Sequence, residues 1–119
     1  MLYEHTSEIE LLRAAYAAFN ARNADAVLAT MSVDITLPNQ MEGGYVQGHQ
    51  AIRAYWERQW AVIHPYDEPV AFSRETAESV LVDVHQVVRD LTGTVLSDQR
   101  LRHRCTIEND LIQTVELCL

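Results

Sequence analysis

An α+β fold, with three N-terminal helices packed on one face of a curved, mostly antiparallel sheet, follows from three observations. Helical periodicity is confined to the chain before residue 64. From Tyr66 onward, apolar residues recur at every second position, as in strands. Short turn signals, "LTGT" and "ND", then divide that second half into long segments. Helices grouped ahead of a run of strands is the α+β order. A sheet of long strands wrapped around a few helices cannot fill the space it encloses, so a pocket is expected.

The elements follow in order. "SEIELLRAAYAAFNA" predicts the first helix, with Ser7 as its cap and Glu8 and Glu10 in the first turn. Its apolar positions, Ile9, Leu12, Tyr16 and Phe19, are spaced by three and four. Asn20 to Asn23 is a break, and "ADAVLATM" is a short second helix capped by Asn23. "VDITLP" is a short strand stopped by Pro38. "NQMEGGYVQG" is a glycine-bearing loop with at most a brief hairpin. "HQAIRAYWERQWAVI" is the clearest helix; Ile52, Trp56, Trp60 and Ile63 form its stripe, Gln59 lies at the edge, and Pro65 ends it. Arg53 and Glu57 stand four apart on another side. "YDEPVAFSRE" is an edge-type strand because it holds Pro69. "ESVLVDVHQVVRD", "VLSDQRLRHRCTIE" and "LIQTVELCL" complete the sheet.

Composition bounds the function. The 119 residues suit one domain spanning 1–119. The net charge of −8 argues against nucleic acid and anionic membranes as partners. No apolar run reaches the length of a membrane span, and "MLYEHTSEIE" resembles neither a secretory signal nor a transit peptide, so a cytoplasmic protein is expected. All nine basic residues are arginine. Without lysine, this chain performs no Schiff-base chemistry and holds no P-loop lysine. Cys105 and Cys118 lack any metal-ligand spacing and are expected to be free thiols. No nucleophile elbow, zinc-helix motif or nucleotide fingerprint occurs, and no cofactor or metal is expected.

The stretches "YAAFNARNADAVLATMSVDITLP" and "GGYVQGHQAIRAYWERQW", followed by paired strands closing with "IENDLIQTVEL", resemble the NTF2-like superfamily. More narrowly they resemble SnoaL-like and ketosteroid-isomerase-like proteins, over about Ser7 to Leu117. The resemblance implies a cone-shaped (cystatin-like) α+β barrel around an apolar pocket, and a homodimer through the outer sheet face. The family includes isomerases, cyclases, dehydratases, hydrolases and non-catalytic carriers, so fold does not fix function. Ketosteroid isomerase uses a general-base Asp, a Tyr on the first helix and a protonated Asp on a late strand. Counting from "FN", the base position falls on Asn39, an amide that cannot take a proton. The tyrosine position falls on Ala15, with Tyr16 beside it and turned by about 100°. The late acid position falls on His103. Steroid isomerisation by that mechanism is therefore not expected.

Alternation in "RLRHRC" puts Arg100, Arg102 and Arg104 on one face and Leu101, His103 and Cys105 on the other. The resemblance turns the second face inward. His103 is then the candidate acid or base, its ordinary pKa being about 6.5; the alternative is a structural, hydrogen-bonded core histidine. A two-residue turn at Thr92-Gly93 pairs Val84 with Leu101, Val82 with His103, Gln86 with Gln99, and Asp83 with Arg102 outside. That register is preferred because it keeps the valines in and Asp83 and Arg89 out. A glycine-bulge loop would instead turn His85 and Asp83 inward beside His103. Tyr16, Phe19, Trp56 and Trp60 line the pocket or form plain core. Asn39 at the pocket mouth donates to a ligand carbonyl or caps its turn. His49 reads as a helix cap, and His5, His64, Asp67 and Glu68 read as surface.

Two functions fit. In the first, a small enzyme performs acid-base chemistry on an apolar molecule bearing a carbonyl or hydroxyl; His103 moves the proton and Asn39, Tyr16 or Gln86 holds the oxygen. In the second, a non-catalytic dimeric module binds a small apolar ligand or a protein partner. The scarcity of Asp or Glu on the expected inner face leans toward the second.

Overall fold

The computed structural model describes the backbone of residues 2–118 and the side chains of residues 7–118. Three helices, α1 (Leu2–Asn20), α2 (Ala24–Leu28) and α3 (His49–Val62), pack on a six-stranded sheet. The strands are β1 (Met31–Pro38), β2 (Tyr45–Gln47), β3 (Ile63–Arg74), β4 (Ser79–Asp90), β5 (Val95–Glu108) and β6 (Leu111–Cys118). Their spatial order is β2-β1-β6-β5-β4-β3, antiparallel throughout except for the parallel β1–β6 pair.

Three helix boundaries differ from the sequence reading, one being the end of α2, at Leu28 rather than Met31. α1 starts at Leu2, so Ser7 lies within it rather than at its cap. The expected cap at Asn23 does form: its Oδ1 accepts from the Ala26 N–H at 3.1 Å. α3 ends at Val62 and the chain runs directly into β3, with Pro65 inside the strand opposite Val88. Pro65 disfavours helix at the residue before it, and Ile63 is already extended. Both Pro65 and Pro69 are tolerated because β3 is an edge strand with one unpaired side. The ladder slips between Pro69 and Ala71.

The β4–β5 hairpin takes the register that pairs Val82 with His103, Val84 with Leu101 and Gln86 with Gln99. Its turn, however, is longer than Thr92-Gly93. The chain turns over Leu91 to Thr94 around Asp90, whose Oδ1 accepts from the backbone N–H of Thr92 at 2.9 Å and of Thr94 at 3.0 Å. Gly93 supplies the positive φ of 97°, and a slip between Val88 and Arg89 absorbs the extra length. Only the pairing beyond Val88, Arg89 with Val95, is displaced, so Asp83 and His85 stay outside. Asp83 accepts from Arg102 Nε at 2.9 Å, and His85 Nε2 lies 2.7 Å from Asp98. Arg104 pairs with Glu75, and Arg53 pairs with Asp25 of α2 rather than with Glu57 of its own helix.

Leu12, Val27, Ile35, Ile52, Val82, Val84 and Ile112 are almost fully buried between the helices and the sheet. They come from six different elements, so the core closes only when the whole sheet is assembled. The face that α3 buries carries Ile52, Tyr55, Trp56 and Gln59, at i, i+3, i+4 and i+7. Its centre is thus shifted from the predicted stripe toward Tyr55, and Trp60 is only half buried. Ile52→Ala removes a branched side chain from a packed site and is expected to cost about 2–5 kcal/mol. Urea denaturation should show this as a lower midpoint at an unchanged slope.

Candidate functional site

A cavity of about 100 Å³ remains between α1, α3 and the inner face of the sheet. Most of its wall is apolar, and three polar groups, from α1 and β5, from β3 and from α3, interrupt it. The first joins α1 to β5. The Tyr16 hydroxyl lies 2.7 Å from His103 Nδ1, and the two rings stack at 9° with centroids 5.9 Å apart. His103 is 7% exposed. Strand alternation puts it inward with Leu101, Cys105 and Ile107, all buried, while Arg100, Arg102 and Arg104 face out.

Burial sets the charge state of this group. It lowers the His103 pKa to about 4. It raises Tyr16 well above its ordinary value, with Cys105 and Asp67 adding to the rise. It pushes the Cys105 thiol, within hydrogen-bonding reach of the Tyr16 hydroxyl, up to about 12. At neutral pH all three are uncharged. His103 is therefore a neutral imidazole and a weak base, not the poised acid-base group expected of an unperturbed histidine. The pair carries two polar protons and shares one hydrogen bond. If the phenol donates to Nδ1, the imidazole keeps its N–H on Nε2; if Nδ1 donates, the phenol keeps its O–H. Either tautomer leaves one donor spare.

The second polar group centres on Asp67 of β3, which was read as surface. It is 8% exposed and lines the cavity. Its carboxylate Oδ1 accepts from Gln86 Nε2 at 3.0 Å, and Gln86 Oε1 accepts in turn from Gln99 Nε2 at 3.1 Å. Its backbone is held at both ends by the Asn20 side chain, which donates to the Asp67 carbonyl at 2.8 Å and accepts from its N–H at 2.9 Å. Burial raises the Asp67 pKa above the usual carboxylate range, against the Gln86 hydrogen bond and the Arg22 charge, which lower it. One sequence signal was available. Gln86 reads as inward-facing, and in the ladder Asp67 sits directly opposite it. Alternation through "YDEP" then separates Asp67 from the exposed Tyr66 and Glu68. α3 adds Tyr55 and Gln59, neither of which the sequence reading singled out.

Of the sequence candidates, Tyr16, Phe19, Trp56 and His103 line the cavity. Trp60 stands behind the wall, stacked on Trp56 at 5.8 Å, with its indole nitrogen buried and unpartnered among the described residues. Gln86 acts through Asp67, and Gln99, exposed, acts through Gln86. Asn39 caps its turn: its Oδ1 accepts from the N–H groups of Met41 at 3.1 Å and Glu42 at 2.8 Å. The next residue, Gln40, reaches the cavity instead. Tyr16, the neighbour of Ala15, is the residue that meets His103. His49 does not cap α3; its Nε2 lies 2.9 Å from the Ser32 carbonyl and 3.1 Å from that of Met31. His64 and Glu68 are exposed, and the side chain of His5 lies outside the described residues. Among the described residues, no three His, Cys, Asp or Glu side chains gather to hold a metal ion.

The shift of His103 is testable. Folded His103 binds its proton less tightly than the unfolded chain does, so its stabilising contribution is complete above about pH 6.5 and is lost as pH falls to about 4. Asp67, raised by burial, acts with the opposite sign: its contribution is present below the ordinary carboxylate value and is lost as pH rises through its folded value. The loss from His103 should be on the order of 2–3 kcal/mol across that window. Denaturation series at several pH values should show it, and His103→Phe should flatten it. A resonance assigned to the His103 imidazole that titrates near pH 6.5 would contradict the burial.

The fold matches known proteins. A family model described as a SnoaL-like domain matches residues 12–113. No curated protein matches the chain significantly. TerC, co-crystallised with polyporic acid, has 25% identity and a TM-score of 0.81, over 95% of this chain and 91% of its own. An NTF2-like protein of unknown function from Burkholderia pseudomallei K96243 has 22% identity and a TM-score of 0.81, over 95% and 90%. RV0760c from Mycobacterium tuberculosis, in complex with estradiol-17β-hemisuccinate, has 13% identity and a TM-score of 0.80, over 95% and 93%. With the family model spanning most of the chain and the helix-backed curved sheet shared by these structures, the chain belongs to the SnoaL-like family of NTF2-like proteins.

Proposed function

We propose that the protein is a small-molecule enzyme that moves a proton on an apolar substrate bearing an oxygen. The observation that carries this reading is Asp67, a carboxyl buried in the cavity wall and fixed by Gln86 and Asn20. A general base needs a held position and a pKa shifted toward neutrality, and burial supplies the direction of that shift. The inner face therefore does carry an acid-base group, which removes the main sequence argument for a passive module.

The roles then divide. Asp67 takes a proton from carbon or oxygen of the substrate and returns it. The Tyr16–His103 pair presents its spare donor to the substrate oxygen as negative charge develops there. His103 is an electrophile in this scheme and not the proton carrier. Phe19 and Trp56 hold the apolar body and keep water away. The two ligand-bearing structures support the reading in one respect: related folds admit small organic molecules.

Hydrogen–deuterium exchange at the α-carbon of 2-tetralone, followed by proton NMR in D₂O, tests the proposal. The wild type should accelerate exchange over buffer. Asp67→Asn should lose roughly 10²- to 10⁴-fold of that rate, with an unchanged circular dichroism spectrum. Binding of 2-tetralone without acceleration would favour the non-catalytic reading.

A homodimer through the outer sheet face belongs to the same proposal. Leu81 and Val87 lie half-buried on that face, beside the exposed Tyr66. Sedimentation at twice the 13.6 kDa chain mass is expected. A monomer at micromolar concentration would remove the dimer.

A further inference from the structure

We infer that the α3 side of the cavity is a recognition site for a hydroxyl group, so that the ligand is an alcohol, phenol or enol on an apolar ring. The inference rests on the preceding reading that the cavity takes a small molecule. It concerns two residues outside the acid-base groups, Tyr55 and Gln59, which stand one turn apart on the buried face of α3 and both line the cavity.

Their hydrogen bonds leave complementary vacancies. The Tyr55 oxygen accepts from the Gln40 N–H at 3.0 Å and from Gln59 Nε2 at 3.3 Å. A phenol oxygen has two lone pairs and one proton. Both lone pairs are therefore used, and no described acceptor takes the proton. Burial raises the Tyr55 pKa, so that proton stays on. Gln59 is 4% exposed, and its Oε1 is buried with no hydrogen-bond partner among the described residues. An unpaired carbonyl oxygen in such a place bears its desolvation penalty until something donates to it.

A hydroxyl meets both needs at once. It donates to Gln59 Oε1 and accepts from the Tyr55 O–H. A ketone could only accept, leaving Gln59 Oε1 bare, and a methyl group does neither. If the Gln59 amide is turned end for end, it takes the Tyr55 proton and presents its NH₂ to the cavity, which a hydroxyl also satisfies. The surroundings set the rest of the ligand. Trp56 and Phe19 offer aromatic faces and edges. The cavity, at about 100 Å³, is somewhat smaller than the ~150 Å³ apolar cavities that take benzene, so its enclosed part holds one ring at most and the rest of a larger ligand projects from its mouth.

The test compares p-cresol with p-xylene, which differ only by hydroxyl for methyl. Each is titrated into the protein and followed by backbone amide NMR shifts. A purely apolar wall favours p-xylene, whose methyl group loses nothing on leaving water. The expected result is that p-cresol binds about tenfold tighter. Gln59→Met, close to glutamine in volume, should abolish or reverse that preference while p-xylene affinity stays or rises. Equal affinities in the wild type, or tighter p-xylene, would overturn the inference. A cresol preference that survives Gln59→Met would also overturn it. The wild-type comparison decides even if the variant fails to fold. If neither compound binds, the small-molecule reading of the cavity falls, and the hydroxyl site with it.

Discussion

The pairing of Val82 with His103 and of Gln86 with Gln99 governs which side chains reach the cavity. Strand side chains alternate between faces, so a slip of one residue would exchange every inward group on β5 for an outward one. Arg102 and Arg104 would then enter the apolar interior, and His103 would face water. The burial of Val80, Val82 and Val84 on one face of β4 holds the register against that slip. The ion pair of Asp83 with Arg102 adds little energy at an exposed site, but it agrees with the same alignment. The irregularity at the hairpin end is confined beyond Val88, where nothing lines the cavity.

Once that register is set, burial does most of the electrostatic work. Imidazole, phenol, thiol and carboxyl are all pushed toward their neutral forms. Apart from Asp67, the cavity is therefore furnished with polar protons and lone pairs rather than fixed charges. Desolvating a neutral donor costs far less than desolvating an ion. Such a wall can meet an apolar molecule with one or two oxygens without the penalty of an unpaired charge. Arg22 is the nearest strong cation. It donates to the Pro65 carbonyl at 2.9 Å and lies over the Trp60 ring, so it biases Asp67 from behind the wall.

Membership of the SnoaL-like family accounts for the frame and leaves the chemistry to individual positions. The steroid-isomerase pattern shows why. Tyr16 and His103 meet in space, yet the position near Gln40 is an amide, and the buried carboxyl comes instead from β3 at Asp67. A carboxyl on a different strand approaches a bound ring from a different side. The same frame therefore sets a buried carboxyl and a Tyr–His pair in a different arrangement.

Periodicity and alternation were enough for the α+β order and for the separation of Leu101, His103 and Cys105 from the arginines, because both are local properties of the backbone; the family resemblance was needed to say which face turns inward. The Asn23 cap and the Asn109-Asp110 turn were legible for the same reason. Asp67 was not, because "YDEP" is polar, short and proline-bearing, and only its ladder partner Gln86 shows which way it points. Nor was Tyr55, and Gln59 was placed only at the edge of its stripe, since the rotation of α3 about its axis is set by what the sheet presents to it. The Tyr16–His103 contact joins residues 87 apart in the chain. The low basicity of His103 arises from that enclosure, as desolvation is a property of everything packed around a group and is written in no neighbouring residue.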